Sequence, residues 1–348
     1  MSTYNRVATP RAYMDRLSFD LATGRRAMSD YTIIRNDGST AVTYTAGQLE
    51  DLFDMRPSNY ATFELENQQF YITINTGMTS NTVAETNFLA ILGHNFHSSN
   101  AVFNVWHSDS AAFDDSPINL ALDSEPTDVI NAEENDPTSS IDPASNGWTL
   151  ITWPTTSTKN QYLRIYIAPD TGSATNFATD VKIGSIMTGE YINFPGVDLN
   201  VGFDIDYDGT DIVTSAGGGT FANTSSLGSP PWGAGNPWAL ESEDTQVYKS
   251  ARHYGRRNWN MNMSYVADTD MFLSNMHAGH GAMIDGSDLY SQFFAKTLGA
   301  HQPFLFTIDK DSTDEGDYGL YRLANGSMKS TQTANRFWNT KLNLVEHW

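Results

Sequence analysis

The sequence predicts a mainly β protein: a jelly-roll or β-sandwich domain, then a second β-rich domain carrying two short helices. Two observations carry that prediction. Short apolar or alternating runs, bounded by Gly, Asn, Asp and Pro, recur from Phe70 to Met187 and again from Trp259 to Leu344. The 348 residues, 39% hydrophobic and 12% aromatic, are enough for two ordinary cores, one for each series.

Residues 1–56 read as an N-terminal helix and arm. Thr9 is placed to cap a helix over 9–23, Pro10 suits its first position and Gly24 its end. Tyr13, Met14, Leu17 and Leu21 give that helix one apolar stripe. Residues 57–196 read as the jelly roll. Phe70, Ile72 and Ile74 alternate with Tyr71 and Thr73, as a half-buried strand does. Residues 88–92 are apolar throughout and predict a core strand, broken by Gly93-His94-Asn95. Further strands are predicted at 102–106, 148–153, 162–168 and 182–187. In the third of these, Leu163, Ile165 and Ile167 take one face while Tyr162, Arg164 and Tyr166 take the other.

Pro195-Gly196 marks the boundary to a second β-rich domain over 197–348. Trp259, Met261, Met263 and Tyr265 alternate as a strand, and helices are expected over 269–277 and 287–298, the second capped by Ser287. Strands return at 304–308 and around Trp338, Leu342 and Leu344. The loop 216–238 holds six glycines, three prolines, Trp232 and Trp238, a composition expected to order against a neighbouring subunit.

Charge narrows the function. A net charge of −21 argues against sequence-specific nucleic-acid binding and against an anionic membrane surface. Without cysteine there is no disulfide, thiolate metal site or Cys nucleophile. Neither a signal peptide nor a membrane-spanning helix is expected, since the start lacks an apolar run. The acidity is uneven: residues 1–56 balance seven acids with seven arginines, whereas 57–158 hold thirteen acids and no Lys or Arg. Nine of those acids crowd 114–142, a stretch read as a solvated loop. Arg11, Arg16, Arg25 and Arg26, with Trp232 and Trp238, are the candidate subunit-interface residues.

Three residue patterns carry possible chemistry. Asp204, Asp206, Asp208 and Asp211 place carboxylates at alternate positions before and after a glycine turn, as a calcium loop does. Ser215 stands where the closing glutamate would be, and Asp208-Gly209 is itself a hairpin signal, so an acidic hairpin is the favoured reading. Calcium is the one cofactor considered. The pairs His94/His97 and His277/His280 lack the third ligand that zinc needs. Trp106, His107, Trp148, Trp153 and Tyr166 are candidates for stacking on sugar rings, weighed against a place in the sandwich core. No nucleophile elbow, phosphate loop or dinucleotide fingerprint is present, so an enzyme is not expected.

Asn5-Arg6-Val7-Ala8-Thr9-Pro10-Arg11-Ala12-Tyr13-Met14-Asp15, followed by Gly24, resembles the opening of structural proteins of tailed bacteriophages. Asn87 to Asn95, Tyr162 to Ile165 and Ile183 to Gly189 resemble strands of the discoidin-like (galactose-binding-like) jelly rolls in such proteins. Arg257 to Met261, Pro303 to Phe306, and the ending from Trp338 to Leu344 with Glu346 and Trp348 resemble β-domains of tail-tip and distal tail proteins. The resemblance implies a non-enzymatic virion component of the tail tip or baseplate, made in the host cytoplasm. It would assemble as a symmetric homo-oligomer and dock neighbouring tail or fibre proteins. A glycan-binding receptor-recognition protein is the alternative, and a polysaccharide depolymerase the second.

Overall fold

Strand pairing, more than local helix signals, decides how the N-terminus folds. In a computed structural model the chain is described over residues 9–35, 38, 40–77, 86–119, 129–132, 140–153, 161–170, 176–207, 210–224, 255–272, 288–326 and 329–347. Arg11–Tyr13 is a strand there, not the first turn of a helix: it lies between Tyr191–Asn193 and Phe304–Thr307, antiparallel to both. The helix runs over Arg16–Ala22, and its cap is Asp15, whose carboxylate accepts from the backbone N–H of Leu17 (3.0 Å) and Ser18 (3.2 Å). Two flanking strands satisfy the backbone of 11–13 more fully than a frayed helical turn would.

The fold is mainly β, as the sequence predicts, and its antiparallel sheets stack in layers. Among the described residues the outermost sheet has five strands, in the order Tyr31–Arg35, Phe70–Asn75, Tyr162–Pro169, Ala101–Ser108 and Ile118–Asn119. The next has four: Ser185–Gly189, Phe88–His94, Gly147–Thr152 and Val129–Ile130. Ile72, Val105 and Ile165 from the first meet Leu89, Ile91 and Ile151 from the second, forming the sandwich core. A small sheet of Val181–Ile183, Ala61–Phe63 and Tyr44–Ala46 adds Phe63 and Ile183 to the same core.

The four-stranded sheet is covered on both faces, which explains why 88–92 is apolar throughout. Phe88, Ala90, Leu92 and Trp148 point away from the sandwich core and pack on Tyr13, Leu305, Tyr318 and Leu320. Those partners belong to a third, larger sheet ordered Tyr191–Asn193, Arg11–Tyr13, Phe304–Thr307, Tyr318–Leu323, Phe337–Glu346, Arg256–Ala267 and Gly202–Asp206. Ser330–Ala334 pairs on Phe337–Glu346 beside this path. On its far face Phe304, Phe306, Met261 and Leu342 receive Phe293 and Phe294 from the helical segment Tyr290–Phe294. The sheets therefore cut across the three sequence segments, because the large sheet draws strands from each.

Local details depart from expectation where the sequence offers two equivalent signals. At the start of the later helical segment Asp288 accepts from Ser291 through both its backbone N–H (3.0 Å) and its hydroxyl (2.8 Å); the expected cap Ser287 lies outside the described residues. Of the helix expected over 269–277 the described part is one turn, Asp268–Met271. The hairpin expected at Asp208-Gly209 does not form between its flanking strands. Gly202–Asp206 pairs instead with Arg256–Ala267, while Thr210–Thr214 pairs with Thr220–Thr224. The turn of that second pair is Ser215–Gly219, closed by Ser215 N–H to the Gly219 carbonyl (2.8 Å), with Gly218 at φ +83°. The glycine run thus serves a tight turn, where positive φ suits glycine.

Candidate functional site

Alternation on Tyr162–Pro169 builds one candidate surface. Leu163, Ile165 and Ile167 point into the sandwich, so Tyr162, Arg164 and Tyr166 face outward. On the neighbouring strands Arg164 lies opposite Thr73 and Trp106, and Tyr166 lies opposite Tyr71 and Asn104. The Arg164 guanidinium is held between two rings, 4.1 Å from the centroid of Tyr71 and 3.8 Å from that of Phe113. Its Nε donates to the Thr73 hydroxyl (3.0 Å) and its Nη2 to the Ala111 carbonyl (3.2 Å). Partial burial pushes the Arg164 pKa down and that of Tyr166 up. Beside the arginine opens a cleft of about 240 Å³, lined by Asp30, Thr32, Thr73, Asn75, Tyr162 and Arg164 among others.

Of the five aromatic candidates, Trp106 and Tyr166 stand on this face, both half-buried. The other three are core residues. Trp148 packs against Tyr318 (centroids 5.2 Å apart) between the second and third sheets. Trp153 donates its indole N–H to the Thr86 carbonyl (2.9 Å), and His107 sits beside it with Nε2 3.2 Å from the Thr86 hydroxyl. All three are essentially without solvent exposure, so none offers a face to a sugar. Arg164 and Tyr162 join the surface in their place, with the buried Tyr71 ring beneath the guanidinium; the period-two reading of 162–166 already put Arg164 and Tyr162 on it.

The interface arginines are mostly spent within the chain. Arg11 is buried, its Nε donating to Asn193 Oδ1 (2.7 Å) with its guanidinium 4.2 Å from the Tyr191 ring centre, so it is closed to a partner. Arg16 and Arg25 both reach Asp20, at 3.2 and 3.6 Å, Arg25 remaining exposed. Arg26 lies directly over Gly77, in the space a Cβ there would take. Trp232 and Trp238 fall outside the described residues.

Of the calcium candidates, Asp204, Asp206 and Asp211 are among the described residues. Asp204 accepts from the side-chain amides of Asn258 (2.9 Å) and Asn260 (3.3 Å), and Asp211 is on a strand of a different sheet from Asp204 and Asp206. Asp208 lies outside the described residues, among which no three acidic or histidine side chains gather as a metal site would require. His94 is buried and stacked on Phe96 (4.6 Å); its Nδ1 accepts from the Phe96 N–H and its Nε2 lies 2.9 Å from the Thr149 hydroxyl. Burial holds that imidazole neutral, with its pKa lowered to about 3.

A second surface is apolar. Nine large hydrophobic side chains are exposed among the described residues, and seven of them lie between Leu199 and Phe221. Phe203 and Ile205 share one face of the edge strand Gly202–Asp206, where the Phe203 ring packs at a tilt on Trp259, centroids 4.6 Å apart. Ile212, Val213 and Phe221 belong to the two-stranded hairpin, exposed by 63%, 55% and 67%.

No family model matches the chain, and no curated protein matches it. Among solved structures the chain is similar to CpGH89CBM32-4, produced by Clostridium perfringens, in complex with glcNAc-alpha-1,4-galactose. The likeness covers 42% of this chain and 87% of that one, with 13% identity and a TM-score of 0.24. At that score it carries nothing about function.

Proposed function

We propose that the protein is a non-enzymatic assembly component of a phage tail tip or baseplate, working as a symmetric homo-oligomer that docks neighbouring tail or fibre proteins. The observation that supports this reading is the crowding of seven exposed apolar side chains between Leu199 and Phe221. Large apolar side chains left open to water in such number mark an interaction surface. Buried carboxylates in the described fold serve structure: Asp15 and Asp288 cap helical segments, Asp20 pairs with Arg16, and Glu346 pairs with Arg257. The tail context comes from the sequence resemblance, and it is tested by mass spectrometry and immunolabelling of purified particles. The chain is expected in stoichiometric amount at the tail tip; its absence from particles overturns the reading.

One observation favours recognition of a glycan as a second reading. The outer face of the five-stranded sheet carries Trp106, Tyr166 and the hydroxyl-lined cleft beside Arg164, a combination of apolar ring and hydrogen-bonding groups that suits a pyranose. Binding on a glycan array, with and without calcium, supports this reading, and a blank array under both conditions contradicts it.

A further inference from the structure

We propose that strand Thr220–Thr224 pairs antiparallel with the same strand of a second copy, about a two-fold axis through Ala222, so that two hairpins become one four-stranded sheet. This deepens the oligomeric reading above and rests on it.

Among the described residues the hairpin has no third strand. Thr210–Thr214 and Thr220–Thr224 pair only with each other among the described residues, and every residue from Asp211 to Ala222 is exposed. A two-stranded ribbon is marginal in water, and three or more strands with a buried apolar face are the usual remedy. Unpaired edges with apolar neighbours invite another strand.

Charge selects the occupant and the edge. In a chain of net charge −21, copies can meet closely only where few acids lie. The edge strand Gly202–Asp206, paired with itself about its centre, would set Asp204 against Asp204. Like charges directly opposite are destabilising. Thr210–Thr214 paired with itself would bring two copies of Asp211 into the contact. Thr220–Thr224 reads Thr-Phe-Ala-Asn-Thr. Turned on itself it sets Thr220 opposite Thr224, Phe221 opposite Asn223 and Ala222 opposite Ala222, with no charge, no proline and a small residue on the axis. A self-complementary surface of this kind is what a two-fold interface requires.

The chain contains no cysteine, so Ala222→Cys introduces a sole thiol. Residues directly opposite in an antiparallel pair have Cβ atoms roughly 4.5–5.5 Å apart, near the reach of a disulfide. Under mild oxidation the A222C protein is expected to form a disulfide-linked dimer in high yield at low-micromolar concentration, with little loss on dilution. The exposed-strand control Lys341→Cys is expected to stay largely uncrosslinked. In parallel, Phe221→Ser is expected to lower the solution mass of the cysteine-free protein. Crosslinking of A222C no faster than K341C overturns the proposal. If wild type is multimeric yet A222C does not crosslink, the hairpin assignment fails and the oligomer stands. If wild type is monomeric, both fail.

Discussion

Tyr13 and Phe88 meet edge to face, their ring centroids 5.2 Å apart, one on the third strand-layer of the fold and the other on the second. This contact joins what the sequence presents as separate units, since Tyr13 is flanked by strands 191–193 and 304–307 and Phe88 by strands of the sandwich. Both side chains are fully buried. Phe88→Ala is expected to cost about 3–5 kcal/mol, the range for a large aromatic truncated in a core. Urea denaturation checks this, and wild type is expected to unfold in one transition by fluorescence and circular dichroism, because the middle sheet lends a face to each core.

The outer face and the core make opposite predictions for tryptophan. Trp106→Ala and Tyr166→Ala are expected to weaken any glycan binding at least tenfold while changing stability by less than about 1 kcal/mol, as is usual for surface sites. Trp148→Ala is expected to lose about 3–5 kcal/mol. Calorimetric titration with the best array ligand, alongside thermal melts, separates the two effects.

These contrasts show what was legible in the sequence. Leu163, Ile165 and Ile167 announce their face because a strand repeats every two residues, and the structure places all three in the core. The apolar run 88–92 announces burial but not the identity of its second cover, which comes from residues 13, 305, 318 and 320, far off in the chain. Thr9 is a good cap on local grounds; pairing of 11–13 with 191–193 and 304–307 moves the helix start to Asp15, and no local window contains that information. Trp148 and Trp153 carry the same composition signal as Trp106, and only the register of their strands sends them inward. Asp208-Gly209 and the 217–219 glycines both signal turns, and the edge of the large sheet claims the strand before the first of them, which leaves the hairpin to the second.

Two buried titratable groups act on stability with opposite sign. Burial raises the Asp15 carboxyl from 3.8 to about 6, so between these values the folded chain holds a proton the unfolded chain has lost. Its contribution is present at low pH and disappears as pH rises toward 6, by at most about 1.4 kcal/mol per unit. His94 does the reverse: its pKa falls from 6.5 to about 3, and its contribution, full above 6.5, is lost on acidification. Relative to wild type, Asp15→Asn is therefore expected to gain stability as pH rises from 4 to 6, and His94→Asn to gain as pH falls from 6.5. Urea midpoints across this range test both slopes.

Arg257 and Glu346 lock the large sheet. Glu346 Oε1 accepts from Nη2 (2.6 Å) and Nε (2.9 Å) of Arg257, and Oε2 from its backbone N–H (2.9 Å). The same guanidinium donates to the carbonyls of Gly316 and Tyr318. Glu346 has no solvent exposure, so Glu346→Ala leaves a largely buried cation without its partner and is expected to cost about 3–5 kcal/mol. Chemical denaturation measures the loss, and a cost below about 1 kcal/mol would show that water replaces the carboxylate.

The central claim, that this chain works as a self-assembling part, is tested most directly by sedimentation velocity of the wild-type protein from low- to high-micromolar concentration. The account predicts a discrete species of an even number of chains, persisting on dilution and reduced in mass by Phe221→Ser. A single species of one chain mass at every concentration would contradict it.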